Sequence, residues 1–141
     1  MSDPNTKLND FFSGYEAANA KFDVERIAAC YGDVFMFGGP DGVQSIKKQD
    51  FLRALPRRKE FFRSVGLVSS KLESFTTSIL DSKYLLVKAV WNMRFERSGS
   101  EAIQSQNSAS YVLFSRDDRY EIVCQIDHQD LRSRVQELGL C

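Results

Sequence analysis

Residues 84–97 read YLLVKAVWNMRFER, the clearest strand pattern in the chain. Leu85, Val87, Ala89, Trp91, Met93 and Phe95 fall on one side of an extended chain, because successive side chains of a strand point to opposite faces. Lys88, Asn92, Arg94 and Glu96 fall on the other side, together with Leu86 and Val90. Such alternation belongs to a sheet with one buried face and one turned outward.

Three more extended segments flank it: Leu67–Leu80 before, then Gln104–Ser115 and Tyr120–Asp127 after. Asp81-Ser82, Ser98-Gly99-Ser100 and Arg116-Asp117-Asp118 separate them, residue types that favour turns. The four segments predict an antiparallel meander. Upstream, the period changes. Leu8, Phe11, Phe12, Tyr15, Ala18 and Phe22 recur mostly at spacings of three and four, the apolar stripe of a helix. Ser2 or Asp3 is the expected cap, with Pro4 suited to the first helical position. Asp23 is expected to cap a short second helix with Val24, Ile27, Ala28 and Tyr31 buried, and Gly32 to end it in the left-handed conformation.

Residues 33–38, DVFMFG, read as a strand, Gly39-Pro40-Asp41-Gly42 as a tight turn, and Val43–Ile46 as a strand pairing back. A third helix is expected from about Lys48 to Val65, with Phe51, Leu52, Leu55, Phe61 and Phe62 apolar. Pro56 inside it removes a backbone hydrogen bond, which predicts a kink or two short helices. Gln129–Leu138 is read as a short closing helix. Helices first and a meander afterwards is an α+β plan with the helices on one sheet face. One domain is expected over residues 1–141, without repeats or linkers.

Composition narrows the functional classes. The 141 residues are 43% hydrophobic and 27% charged, the balance of a globular chain. A domain near 150 residues buries roughly 68–70% of its unfolded surface, enough for a core without metal or disulfide support. Eleven phenylalanines either pack tightly or line a cavity. Lys plus Arg equal Asp plus Glu at 19 each, which predicts neither nucleic acid nor membrane as a partner. The basic run Arg57-Arg58-Lys59, with Lys47, Lys48, Arg53 and Arg63 nearby, reads as a solvated helix face.

Cys30, Cys124 and Cys141 show no CxxC spacing. The three together predict a reducing, cytoplasmic setting rather than a disulfide framework, and Cys30 and Cys124, among apolar neighbours, are expected to be small core residues. The opening residues lack the apolar stretch of a signal peptide, and no run approaches the roughly 18 apolar residues of a membrane span. One histidine and scattered cysteines make no metal-ligand set. Phosphate-binding glycine loops and GxSxG elbows are absent, so neither metal nor cofactor is expected.

The order helix, helix, strand, helix and four strands resembles the nuclear transport factor 2-like superfamily, which includes SnoaL-like and ketosteroid isomerase-like domains. The resemblance runs from about Phe11 to His128. It rests on Asp23 leading the second helix, Tyr31 near its end, the strand Asp33–Phe37, the Gly39-Pro40-Asp41-Gly42 turn and the ending Tyr120-Glu-Ile-Val. It implies a cystatin-like α+β fold, a curved, mostly antiparallel sheet wrapped like a cone around N-terminal helices. The resemblance also implies a pocket between helices and sheet, lined by Tyr15, Tyr31, Phe37, Trp91, Met93 and Tyr111, for a small hydrophobic molecule. A homodimer through the outer sheet face, which carries Asn92, Arg94, Leu86, Val90 and Val112, is implied too.

Such domains include isomerases, cyclases and dehydratases as well as binding modules, so fold does not decide function. The segment Tyr15–Asp23 is similar to the first helix of ketosteroid isomerase, whose oxyanion-hole tyrosine matches Tyr15. The base of that family would stand at Gly39, and its acidic oxyanion donor near Ser110 or Tyr111. Neither position holds an acid, so that mechanism does not carry over. Cyclase-type relatives place a base on a later strand, where this chain offers Asp127 and His128. Strand alternation puts His128 with Ile122, Cys124 and Ile126, and favours it as the inward one. The leading expectation is a small-molecule-binding domain. The alternative is a lyase of the isomerase, cyclase or dehydratase kind, acting on a hydrophobic carbonyl compound through His128 or Asp127 with Tyr15. A protein-interaction module using Arg57–Arg63 is the third.

Overall fold

The computed structural model describes residues 4–140. The expected caps Ser2 and Asp3 lie outside them, as does Cys141. The first helix, α1, runs Pro4–Lys21, and Leu8, Phe12 and Ala18 of its stripe are wholly buried. α2 covers Val24–Ala29, with Asp23 Oδ1 accepting from the Arg26 N–H at 3.2 Å. Ile27 is its buried residue, whereas Val24 is 36% exposed.

β1 is Tyr31–Gly39 and β2 is Gly42–Lys47, joined through the expected turn with Gly39 opposite Gly42. Two expectations are corrected here. α2 ends on a right-handed cap at Cys30, and Tyr31 goes straight into β1 beside Ile122. Tyr31 is therefore a strand residue, and Gly32 lies within β1 rather than stopping the helix in the left-handed region.

α3, Lys48–Ser64, continues past Pro56 as one helix instead of two. Pro56 is exposed, so its ring faces solvent and the break is confined to one rung of the hydrogen-bond ladder. Gly66 then turns the chain at φ +87°, where a Cβ would lie 2.5 Å from the Glu96 carbonyl oxygen. No other residue fits this turn without displacing backbone.

The meander follows as β3 (Leu67–Ile79), β4 (Tyr84–Phe95), β5 (Ile103–Arg116) and β6 (Arg119–Asp127). Asp117 and Asp118, both at positive φ, form the last hairpin turn. The short helix α4, Leu131–Glu137, is capped by Asp130. The six strands form one sheet in the order β2-β1-β6-β5-β4-β3. All neighbours are antiparallel except β1 and β6, which run parallel. Pairing of an early strand with the last one sets the sheet apart from a simple meander.

Val87, Ala89, Trp91, Met93 and Phe95 are buried, as the alternation requires. Val87, Ala89 and Trp91 meet α1, Leu55 of α3 and the inward residues of β5 and β6 in the main core. A second cluster joins Val65, Met93, Phe95, Val135 and Leu140 under α4. No described helix is long and apolar enough to cross a membrane.

Candidate functional site

Alternation along β6 fails at one place, and that decides what faces inward. Val112 pairs with Cys124 but Leu113 pairs with Ile122, so Val123 is an extra residue in the ladder. One extra residue inverts the parity of everything after it. Ile122 is buried before the bulge and Gln125 after it, and Asp127 follows Gln125 inward. His128 is thereby turned out. It is exposed, and its Nε2 lies 2.7 Å from Ser110 Oγ. The expectation of an inward His128 is corrected: Asp127 holds the inward position.

Four residues from α1, β1 and β6 make a directed chain. Tyr31 has one hydroxyl proton and donates it to Gln125 Oε1 at 2.6 Å. The 3.0 Å contact between the Tyr15 and Tyr31 hydroxyls therefore has Tyr15 as donor. Gln125 Nε2 in turn donates to Asp127 Oδ1 at 3.1 Å. Beside it, Trp91 Nε1 donates to the Tyr111 hydroxyl at 3.0 Å. Burial pushes the Tyr15 hydroxyl above the ordinary tyrosine value of 10.0 and holds those of Tyr31 and Tyr111 well above it. All three keep their protons at neutral pH and act as hydrogen-bonding hydroxyls rather than phenolate bases.

Above these groups lies a cleft of about 630 Å³, bounded by α1, α3, the start of β3 and the inner face of β4–β6. Tyr15, Trp91, Met93 and Tyr111 border it. Tyr31 does not, because its hydroxyl is used up beneath Tyr15 and its ring packs on Phe35 and Phe51. Phe37 lines a neighbouring cleft of about 710 Å³ between the β1–β2 hairpin, α3 and the start of α4. The two clefts share Leu55, Arg58, Phe62, Asp127, Gln129 and Leu131.

The lining is mixed rather than purely apolar. Sequence reading missed Asn107 and Gln125, polar residues only 7% and 4% exposed. Arg58, Lys59 and Arg63 are solvent-exposed, as read from the sequence, and they also border the cleft together with Lys71. The signal for Asn107 was its place in β5, directly opposite Trp91. Gln125 was hidden by the bulge.

A sequence-family profile described as "NTF2-like protein (DUF6841)" matches residues 5–130. No curated protein sequence matches the chain. Among solved structures it is similar to an NTF-2-like protein of unknown function from Shewanella oneidensis. That pair has a TM-score of 0.70 at 15% identity, over 90% of this chain and 100% of the other. An NTF2-like protein from Cytophaga hutchinsonii gives 0.70 at 13% identity, over 92% and 100%. Aln2 from a Streptomyces species gives 0.72 at 12% identity, over 95% and 98%. At such identities the likeness is one of fold, and it bears out the α+β, cystatin-like architecture.

Proposed function

Because the chain belongs to the NTF2-like family described as DUF6841, we propose that it is a small-molecule-binding domain whose ligand seats an apolar body in the cleft over Trp91. The observation that carries this reading is the cleft floor. Trp91, Met93 and Tyr111 are 8%, 6% and 2% exposed, yet all three border a space of about 630 Å³. That size is within the range of roughly 300–1,000 Å³ typical of small-molecule sites. The hydroxyls of Tyr15 and Tyr111 and the amide of Asn107 give the ligand a few fixed polar contacts.

Trp91 is the chain's one tryptophan, which makes occupancy directly readable. The neutral dye N-phenyl-1-naphthylamine should quench Trp91 emission by energy transfer and brighten saturably. Ala109→Phe, which fills the cleft beneath the dye, should abolish both signals. A dye response unchanged in that variant would place the dye elsewhere and sink the reading.

A second reading, general acid–base chemistry on a carbonyl compound, is favoured by Asp127. It reaches the cleft with one carboxylate oxygen engaged by Gln125, leaving the other free to accept a proton. Deuterium exchange next to the carbonyl of 2-decalone, followed by NMR, should be accelerated by the wild-type chain and not by Asp127→Asn. Equal exchange with both proteins would rule Asp127 out as the base.

The outer sheet face supports a homodimer. Leu86 is 37% and Ile126 38% exposed there, among serines, Asn92 and Arg94. Sedimentation should show a dimer at micromolar concentration and a monomer for Leu86→Glu. A wild-type monomer would contradict it.

A further inference from the structure

Resting on that reading, we propose that the ligand is an anionic amphiphile, its apolar body over Trp91 and its charged head group held at the cleft mouth by Arg58 and Lys71. The lining sorts by depth. Tyr15, Trp91, Met93, Tyr111 and Gln125 are buried, while Arg58, Lys59, Arg63 and Lys71 are exposed. Four cations therefore stand at the opening, against two carboxylates in the lining, Glu16 and Asp127.

Both carboxylates already have protein donors. Glu16 accepts the Leu72 N–H at 2.8 Å, and Asp127 accepts from Gln125. The cations are less evenly satisfied. Arg63 lies 3.7 Å from Glu60, and the Lys59 ammonium sits 4.5 Å over the Phe22 ring. Arg58 and Lys71 take part in none of the ion pairs among the described residues.

Arg58 lies 5.2 Å over the ring of Phe62. A guanidinium stacked in this way keeps its edge N–H groups free for a planar anion. Its charge also opposes, as a lesser influence, the effect of burial on the Tyr15 hydroxyl in the cleft wall. A neutral apolar ligand would leave these two cations unused at the mouth of an apolar floor. An alkyl or aryl carboxylate would engage both ends.

Decanoate, below its micelle concentration, and decan-1-ol test this by their effect on Trp91 emission in the full chain. The Arg58→Gln/Lys71→Gln variant, both positions exposed, should weaken decanoate roughly fivefold to tenfold, the size expected for two solvent-screened pairs. Decan-1-ol should bind it as it binds the wild type. Lys88→Gln, which removes a charge from the outer face, should leave both unchanged. Raising the salt from about 50 mM to 0.5 M should shrink the advantage of decanoate in the wild type only. Equal weakening of the acid and the alcohol, or of decanoate in Lys88→Gln, overturns the anionic head group and leaves the apolar cleft standing. If neither compound alters Trp91, both readings fall.

Discussion

Tyr31 has a single hydroxyl proton, and spending it on Gln125 orients the whole buried polar chain from Tyr15 to Asp127. Tyr31→Phe removes two hydrogen bonds and leaves a buried amide oxygen without a donor. It should lower stability by about 1–3 kcal/mol, seen as an earlier denaturant midpoint with unchanged slope. Tyr15→Phe leaves Tyr31 bonded to Gln125 and should cost less. The three buried hydroxyls also set the alkaline limit. The unfolded chain releases their protons near pH 10, while the folded chain holds them at higher pH because burial raises all three. Stability is then independent of these groups below about pH 10 and falls as pH rises through their folded values. Absorbance at 295 nm against pH should show them ionising only with loss of structure; early reversible ionisation of all five tyrosines would contradict it. Tyr15 was legible as a buried position from the helix stripe. The choice between Asp127 and His128 was not, since one bulged residue at Val123 reverses it and nothing local marks the bulge.

At the scale of elements, what the sequence spelled out was whatever depended on local period. β4 alternates without a break over Tyr84–Phe95, and β5 pairs with it in unbroken register. The parallel joining of β1 to β6 depends on residues some ninety positions apart, which no local pattern encodes. α3 is the case where a local rule overstated its effect, because exposure lets Pro56 be carried within one helix. The strain it leaves should be recoverable: Pro56→Ala restores a backbone donor and should raise stability by about 1–3 kcal/mol. Gly66→Ala should do the opposite. A left-handed backbone costs about 1–2 kcal/mol for an L residue, and the Glu96 carbonyl blocks its Cβ. Thermal melts of the two variants should move in opposite directions. A Pro56→Ala melt at or below wild type would mean that the proline is not strained.

For the whole molecule, the six-stranded sheet and residues of all four helices border two clefts that meet at Arg58 and Asp127. The α+β plan and the aromatic floor were legible because they rest on burial, which hydrophobic pattern reports. The cations around the mouth were not. A basic run on α3 reads alike whether its helix faces bulk water or overhangs a cleft, and only the packing of α3 against β3 separates the two. This interior region is proposed to receive a small apolar molecule. Its most direct test is the NMR resonance of the one indole N–H in the chain, which donates to Tyr111 on the cleft floor. Titration with N-phenyl-1-naphthylamine should shift that resonance together with the backbone amides of Met93, Asn107 and Ala109, leaving those of Lys88 and Ser110 in place. An indole signal that stays fixed while amides of the outer sheet face move would place the ligand outside the cleft.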